Sequence, residues 1–136
     1  MNYHHTAILP IFNFDEGIEI VKNELSKEGF GVLSEINVQE TLKKKIDVDF
    51  KKYTILGACN PHFAHKALSS ENKIGVFLPC NVVVQEHEKG LEVSAVDPIA
   101  SMQSVGNEDL SGLANEVQAK LIRVIKAISE YEAVAN

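Results

Sequence analysis

At 136 residues the chain has the length of one ordinary domain, enough to bury a core without disulfides or a structural metal. A formal net charge of -6 repels phosphate backbones and anionic lipid, which argues against nucleic acid as a partner. Two cysteines are too few for a secreted disulfide scaffold, Met1 to Phe14 lacks the marks of a signal peptide, and no apolar run approaches the roughly 20 residues of a membrane helix. The expectation is a single cytoplasmic domain over residues 1–136 with no membrane partner.

Tyr3 to Ile11 reads as a first strand. Phe14, Ile18, Val21 and Leu25 then recur on one helical face, with Asn13 and Glu16 forming a capping-box-like start and Gly29 a stop. From Phe30 to Val38 the residues alternate, which predicts a strand with one face more buried than the other. Gln39 to Ile46 fits a short helix with Leu42 and Ile46 inward. Lys43, Lys44, Lys45, Lys51 and Lys52 cluster here, interleaved with Glu40, Asp47 and Asp49. Without stacking aromatics they read as a solvated helix and loop.

Tyr53 to Cys59 predicts a third strand. In Asn60-Pro61 the Asn suits an N-cap and the Pro, with no donor and a fixed φ, suits a first helical turn, so a short helix is expected to about Leu68. Ile74 to Glu86 is a long β-type run with Pro79 inside it; Pro cannot donate to a ladder, so a kink, a bulge, an edge position or two strand segments are expected there. His87-Glu88-Lys89-Gly90 is a hairpin turn, and Leu91 to Val96 is the return strand, broken by Asp97-Pro98. Leu110, Leu113, Ala114, Val117, Leu121, Val124, Ile125 and Ile128 follow helical spacing, which predicts a long amphipathic helix covering a sheet. The fold class is therefore α+β, an antiparallel sheet of about five strands with helices on one face, in the order β-α-β4-α with short extra helices. The other face is open to solvent or to a second copy of the chain.

Three strings carry a resemblance. They are Gly29-Phe30-Gly31-Val32-Leu33-Ser34-Glu35-Ile36, then Leu56-Gly57-Ala58-Cys59-Asn60-Pro61 with Ala64-His65-Lys66-Ala67-Leu68, then Leu78-Pro79-Cys80-Asn81-Val82-Val83-Val84. In this order, over roughly residues 14 to 130, the chain resembles the domain of unknown function 302 family. The resemblance implies an α+β fold similar to the TATA-box-binding-protein-like arrangement and is compatible with a homodimer. It implies no established activity, substrate or cofactor, and the fold likeness carries no implication of DNA binding.

The segment Cys59-Asn60-Pro61-His62-Phe63-Ala64-His65 is the sharpest candidate site. A cysteine just before a helix N-terminus sits where unpaired N–H groups favour negative charge, so a thiolate or a small anionic molecule is stabilised beside it. Three functional readings follow: a Cys/His nucleophile pair, a metal site from Cys59, Cys80, His62 and His65, or a ligand pocket. The plain alternative is that both cysteines are small buried hydrophobes and the histidines face water. Asn60 and Asn81 either satisfy backbone groups or read a ligand, and Glu35 is a carboxylate expected on the open sheet face, where it could pair with His65. The candidate ligand-binding residues are Cys59, Asn60, His65, Cys80, Asn81 and Glu35. The leading function is a small-ligand-binding or interaction domain acting as a homodimer; the alternative is a thiol- or metal-dependent enzyme centred on Cys59 and His65.

Overall fold

The computed structural model describes residues 2–132. Strand β1 (His4–Leu9) is followed by helix α1 (Phe14–Lys27), which starts where Asn13 accepts a hydrogen bond from the Glu16 backbone N–H at 3.0 Å. Strand β2 (Gly31–Asn37) and helix α2 (Val38–Ile46) come next, then β3 (Tyr53–Cys59) and α3 (Pro61–Ser70). The hairpin β4 (Cys80–His87) and β5 (Gly90–Val96) leads through a short helix α4 (Pro98–Met102) to the long helix α5 (Glu108–Ser129). All neighbouring strands are antiparallel, and their order across the sheet is β1-β5-β4-β3-β2. The α+β class and the five-stranded sheet match the expectation.

The core lies between one sheet face and helices α1 and α5. Leu9, Leu56, Val82, Val84, Leu91 and Val93 point inward from alternate strand positions and meet Val21 and Leu25 of α1 and Leu121, Val124 and Ile128 of α5. Burial of such side chains stabilises by about 1.5–3 kcal/mol each before entropy is charged against it. The close seating of α1 explains Gly17, because a Cβ there would run into the Leu91 side chain. Among the described residues the opposite sheet face carries no helix of this kind. Across it the register aligns Ile36, Ile55 and Val83 in one row, with Tyr53 beside them. No helix among the described residues is long and apolar enough to cross a membrane.

Three local readings are corrected. The apolar run beginning at Ile74 is not strand from its start: Ile74–Phe77 is a 3-10 turn, closed by local hydrogen bonds from Val76 N–H to Lys73 and from Leu78 N–H to Gly75. Only Ile74 is buried in it, while Val76 lies 82% exposed, so the turn anchors one side chain against Ala67 and Leu110 and leaves the rest in water. The Leu78–Pro79 peptide bond is cis, and the strand begins after it at Cys80. Second, β2 does not alternate regularly, because a bulge at Leu33 inserts an extra residue into the ladder with β3. A bulge shifts the side-chain pattern by one, so Val32 faces the core side with Ala58, Ser34 the open face with Gly57, and Glu35 the core side again with Leu56. Third, α2 buries none of its residues, and Ile46, expected inward, is 64% exposed.

Candidate functional site

Where β3 ends and β4 begins, the register sets Ala58 opposite Cys80, so the two cysteines sit at the same end of neighbouring strands. Asn60 then starts α3: its side-chain oxygen accepts from the Phe63 N–H at 3.4 Å, and Pro61 occupies the first turn. The amide nitrogen of Asn60 rests against Gly29, whose φ of +85° and missing side chain leave the space; a Cβ there would come within 2.9 Å of it. Asn60 thus packs the start of α3 against the turn after α1.

These elements enclose a cavity of about 40 Å³, walled by Cys59, Asn60 and Cys80, by Phe63, Ala64 and Ala67 of α3, by Leu113, Ala114 and Val117 of α5, and by Phe30, Leu78, Pro79 and Met102. One water needs roughly 10–15 Å³ of such space, so the cavity holds only a few atoms. Asn60 is the single wall residue with a polar amide, and its oxygen is already engaged as a cap. Met102 and Ala114 also line a neighbouring groove of about 330 Å³ between α4 and α5. Met102 is therefore a flexible partition between the two spaces.

Both cysteines are free thiols. Burial pushes the Cys80 thiol up to about 11, and the nearby Cys59 adds to the effect. At neutral pH Cys80 is a protonated thiol and behaves as a small hydrophobe. His62 and His65 are exposed on the outer side of α3, and neither ring hydrogen-bonds a cysteine among the described residues. No group of three or more His, Cys, Asp and Glu side chains among the described residues is placed to hold a metal ion. The structure does not gather Cys59, Cys80, His62 and His65 into one site, and no acid or base is among the described residues that line the cavity beside Cys59.

Of the six sequence candidates, Cys59, Asn60 and Cys80 come together on the cavity wall. His65 stays in solvent. Asn81 lies on the opposite sheet face, exposed and opposite Gly57. Glu35 is corrected to the helix side of the sheet, where the Lys22 ammonium hydrogen-bonds it at 2.9 Å; that bond raises the Lys22 pKa. The apolar walls from α5 and Met102 escaped the sequence reading, since residues roughly forty to sixty positions from Cys59 show no local sign of converging on it. A second polar cluster was also missed. Asp97, buried, accepts from Gln118 at 3.0 Å, from His5 at 2.9 Å and from the N–H groups of Ile99 and Ala100 at 2.8 and 3.2 Å. It joins β1, α4 and α5 and serves as the N-cap of α4.

Fold and site together define a small α+β domain with an uncovered antiparallel sheet and a cysteine-lined apolar cavity at one end of it. The family model described as "Domain of unknown function DUF302" matches residues 7–128, and the chain belongs to that family. It is similar to the crystal structure of an uncharacterized conserved DUF302 protein from Bacillus stearothermophilus, at 28% identity and a TM-score of 0.84, covering 93% of this chain and 98% of that one. No curated protein matches the chain. The resemblance expected from the three sequence strings is thereby borne out at the level of the family.

Proposed function

We propose that this chain is a small-ligand-binding domain that works as a homodimer, with the ligand's apolar end in the cavity beside Cys59 and Cys80. The observation that supports the reading is the cavity itself: an apolar wall on three elements and two thiols, with no metal-holding group of His, Cys, Asp and Glu among the described residues. Its outer wall is electropositive. The ammonium groups of Lys66 and Lys120 lie 6.0 and 5.9 Å from the centre of the Phe63 ring, and neither has a carboxylate partner among the described residues. A small molecule with a short apolar tail and an anionic head fits that pairing, the head held by charges that the ring face also attracts. Rotation of Met102 would open the cavity into the adjoining groove for a longer tail.

The test is native mass spectrometry of the untagged protein beside Cys59→Ser and Ala114→Leu, followed by titration of each with hexanoate and hexanol. The proposal expects wild type to bind hexanoate more tightly than hexanol, and Ala114→Leu, which fills the cavity, to lose at least tenfold. Equal binding by wild type and Ala114→Leu, or no binding at all, overturns the cavity as the site. The same spectra report whether the protein is a dimer.

A further inference from the structure

We infer that the arm made of β2, α2 and the loop to Lys52 is the homodimer contact, each arm closing over the uncovered sheet face of a second copy. This rests on the homodimer reading above and names its surface. From Gly31 to Lys52 not one residue is buried. Yet the arm is fully built, with Asn37 capping α2 by accepting from the Glu40 N–H at 3.0 Å and Asp47 closing it in a left-handed conformation at φ 55°. A helix of nine residues is marginal in water by itself, and helices of this length owe their stability to packing of an apolar face. Within the chain α2 touches β2 and β3 but buries none of its side chains.

The side chains left open are the kind an interface buries. Leu33 is 72% exposed, Ile46 64%, Ile36 49%, Val48 42% and Phe50 41%, five of the large exposed apolar residues in one short segment. Isolated exposed apolar residues are ordinary, whereas a contiguous set marks an interaction site. The receiving surface is the uncovered face around Ile55 and Val83. Beside it lies a shallow depression of about 370 Å³ lined by Tyr3, Tyr53, Val83 and Glu92.

Charge identifies the occupant as the chain itself. Residues 38–52 hold five lysines against three acids, while the rest of the chain holds eight Lys and Arg against sixteen Asp and Glu. Lys43 and Lys44 are tied within the arm to Asp47, Asp49 and Glu40. The ammonium groups of Lys45, Lys51 and Lys52 have no carboxylate partner among the described residues. The arm is basic, the body is acidic, and Glu92 is the acid lining the depression on the uncovered face, so the arm is complementary to a second copy in a two-fold arrangement, where each protomer supplies both surfaces.

The experiment is sedimentation velocity over a concentration series at low and high salt, on wild type, on the double variant Ile46→Glu/Phe50→Glu, and on Val76→Glu. Val76 is more exposed still but lies on the turn before β4, so it controls for added charge; circular dichroism confirms that each variant is folded. Wild type is expected to be dimeric, with weaker association at high salt. The arm variant should dissociate at least tenfold more readily, and Val76→Glu should behave as wild type. A wild-type dimer that the arm variant leaves intact overturns the arm as the contact while the homodimer stands. A monomeric wild type at all concentrations overturns both, and leaves the ligand reading to its own titration.

Discussion

Asp97 concentrates more hydrogen bonds than any other side chain here, and its titration should be visible in stability. Burial by itself would raise its pKa, but the bonds from Gln118, Ala100, His5 and Ile99 outweigh that and hold it below the ordinary 3.8. A carboxylate with a lowered folded-state pKa contributes stability above its unfolded value, and the contribution is lost as pH falls through the folded value. Asp97→Asn should therefore cost about 1–3 kcal/mol near neutral pH, and the gap between variant and wild type in urea unfolding should narrow as the pH falls below about 3.8. Cys80 behaves in the opposite sense. Its folded-state pKa of about 11 lies above the ordinary 9.0, so the folded protein keeps a proton that the unfolded chain releases. Stability should fall by about 2–3 kcal/mol as pH rises through that window, and Cys80→Ala should remove that part of the slope. Native alkylation should reach the half-buried Cys59 before the buried Cys80.

Elements whose signals are local were legible in the sequence. Asn13 and the spacing of Phe14, Ile18, Val21 and Leu25 give α1 its start and its buried stripe, and Asn60-Pro61 starts α3 in the same way. The hairpin turn before Gly90 follows from that glycine's φ of +139°. Strand β2 was misread because a bulge leaves an alternating sequence looking intact while it turns every later side chain over. What makes room at that bulge is Gly57, where a Cβ would collide with the Ser34 side chain and come within 2.8 Å of Pro79. Gly57→Ala should destabilise by about 1–3 kcal/mol through overpacking, measured by thermal or denaturant unfolding. The double variant Ser34→Gly/Gly57→Ala should recover part of the loss; an unaffected single variant would show that β2 slides away freely.

At the scale of the whole molecule, α5 is the element on which the layers close. Leu121 is fully buried in the main cluster with Leu9, Val93 and Val21, so Leu121→Ala should cost about 2–5 kcal/mol, the upper part of that range if the gap stays empty. Nearer the start of the same helix, Leu113, Ala114 and Val117 form part of the cavity wall, so α5 couples core stability to the candidate site. A ligand that bound only the folded state would raise the unfolding midpoint with its concentration. Hexanoate should do this in wild type and fail to do so in Ala114→Leu.

Periodicity, caps and turn residues determined the element order and the fold class, because each of those signals depends on neighbours within a few positions. The same local chemistry marked Cys59, Asn60 and Cys80, which do meet at one end of the sheet. Only the tertiary structure decided which sheet face each side chain takes after the bulge, that Glu35 belongs to Lys22, that Met102 and α5 complete the cavity, and that α2 is left uncovered. Those outcomes depend on register and on contacts between residues far apart in the chain, and no short window of sequence contains them.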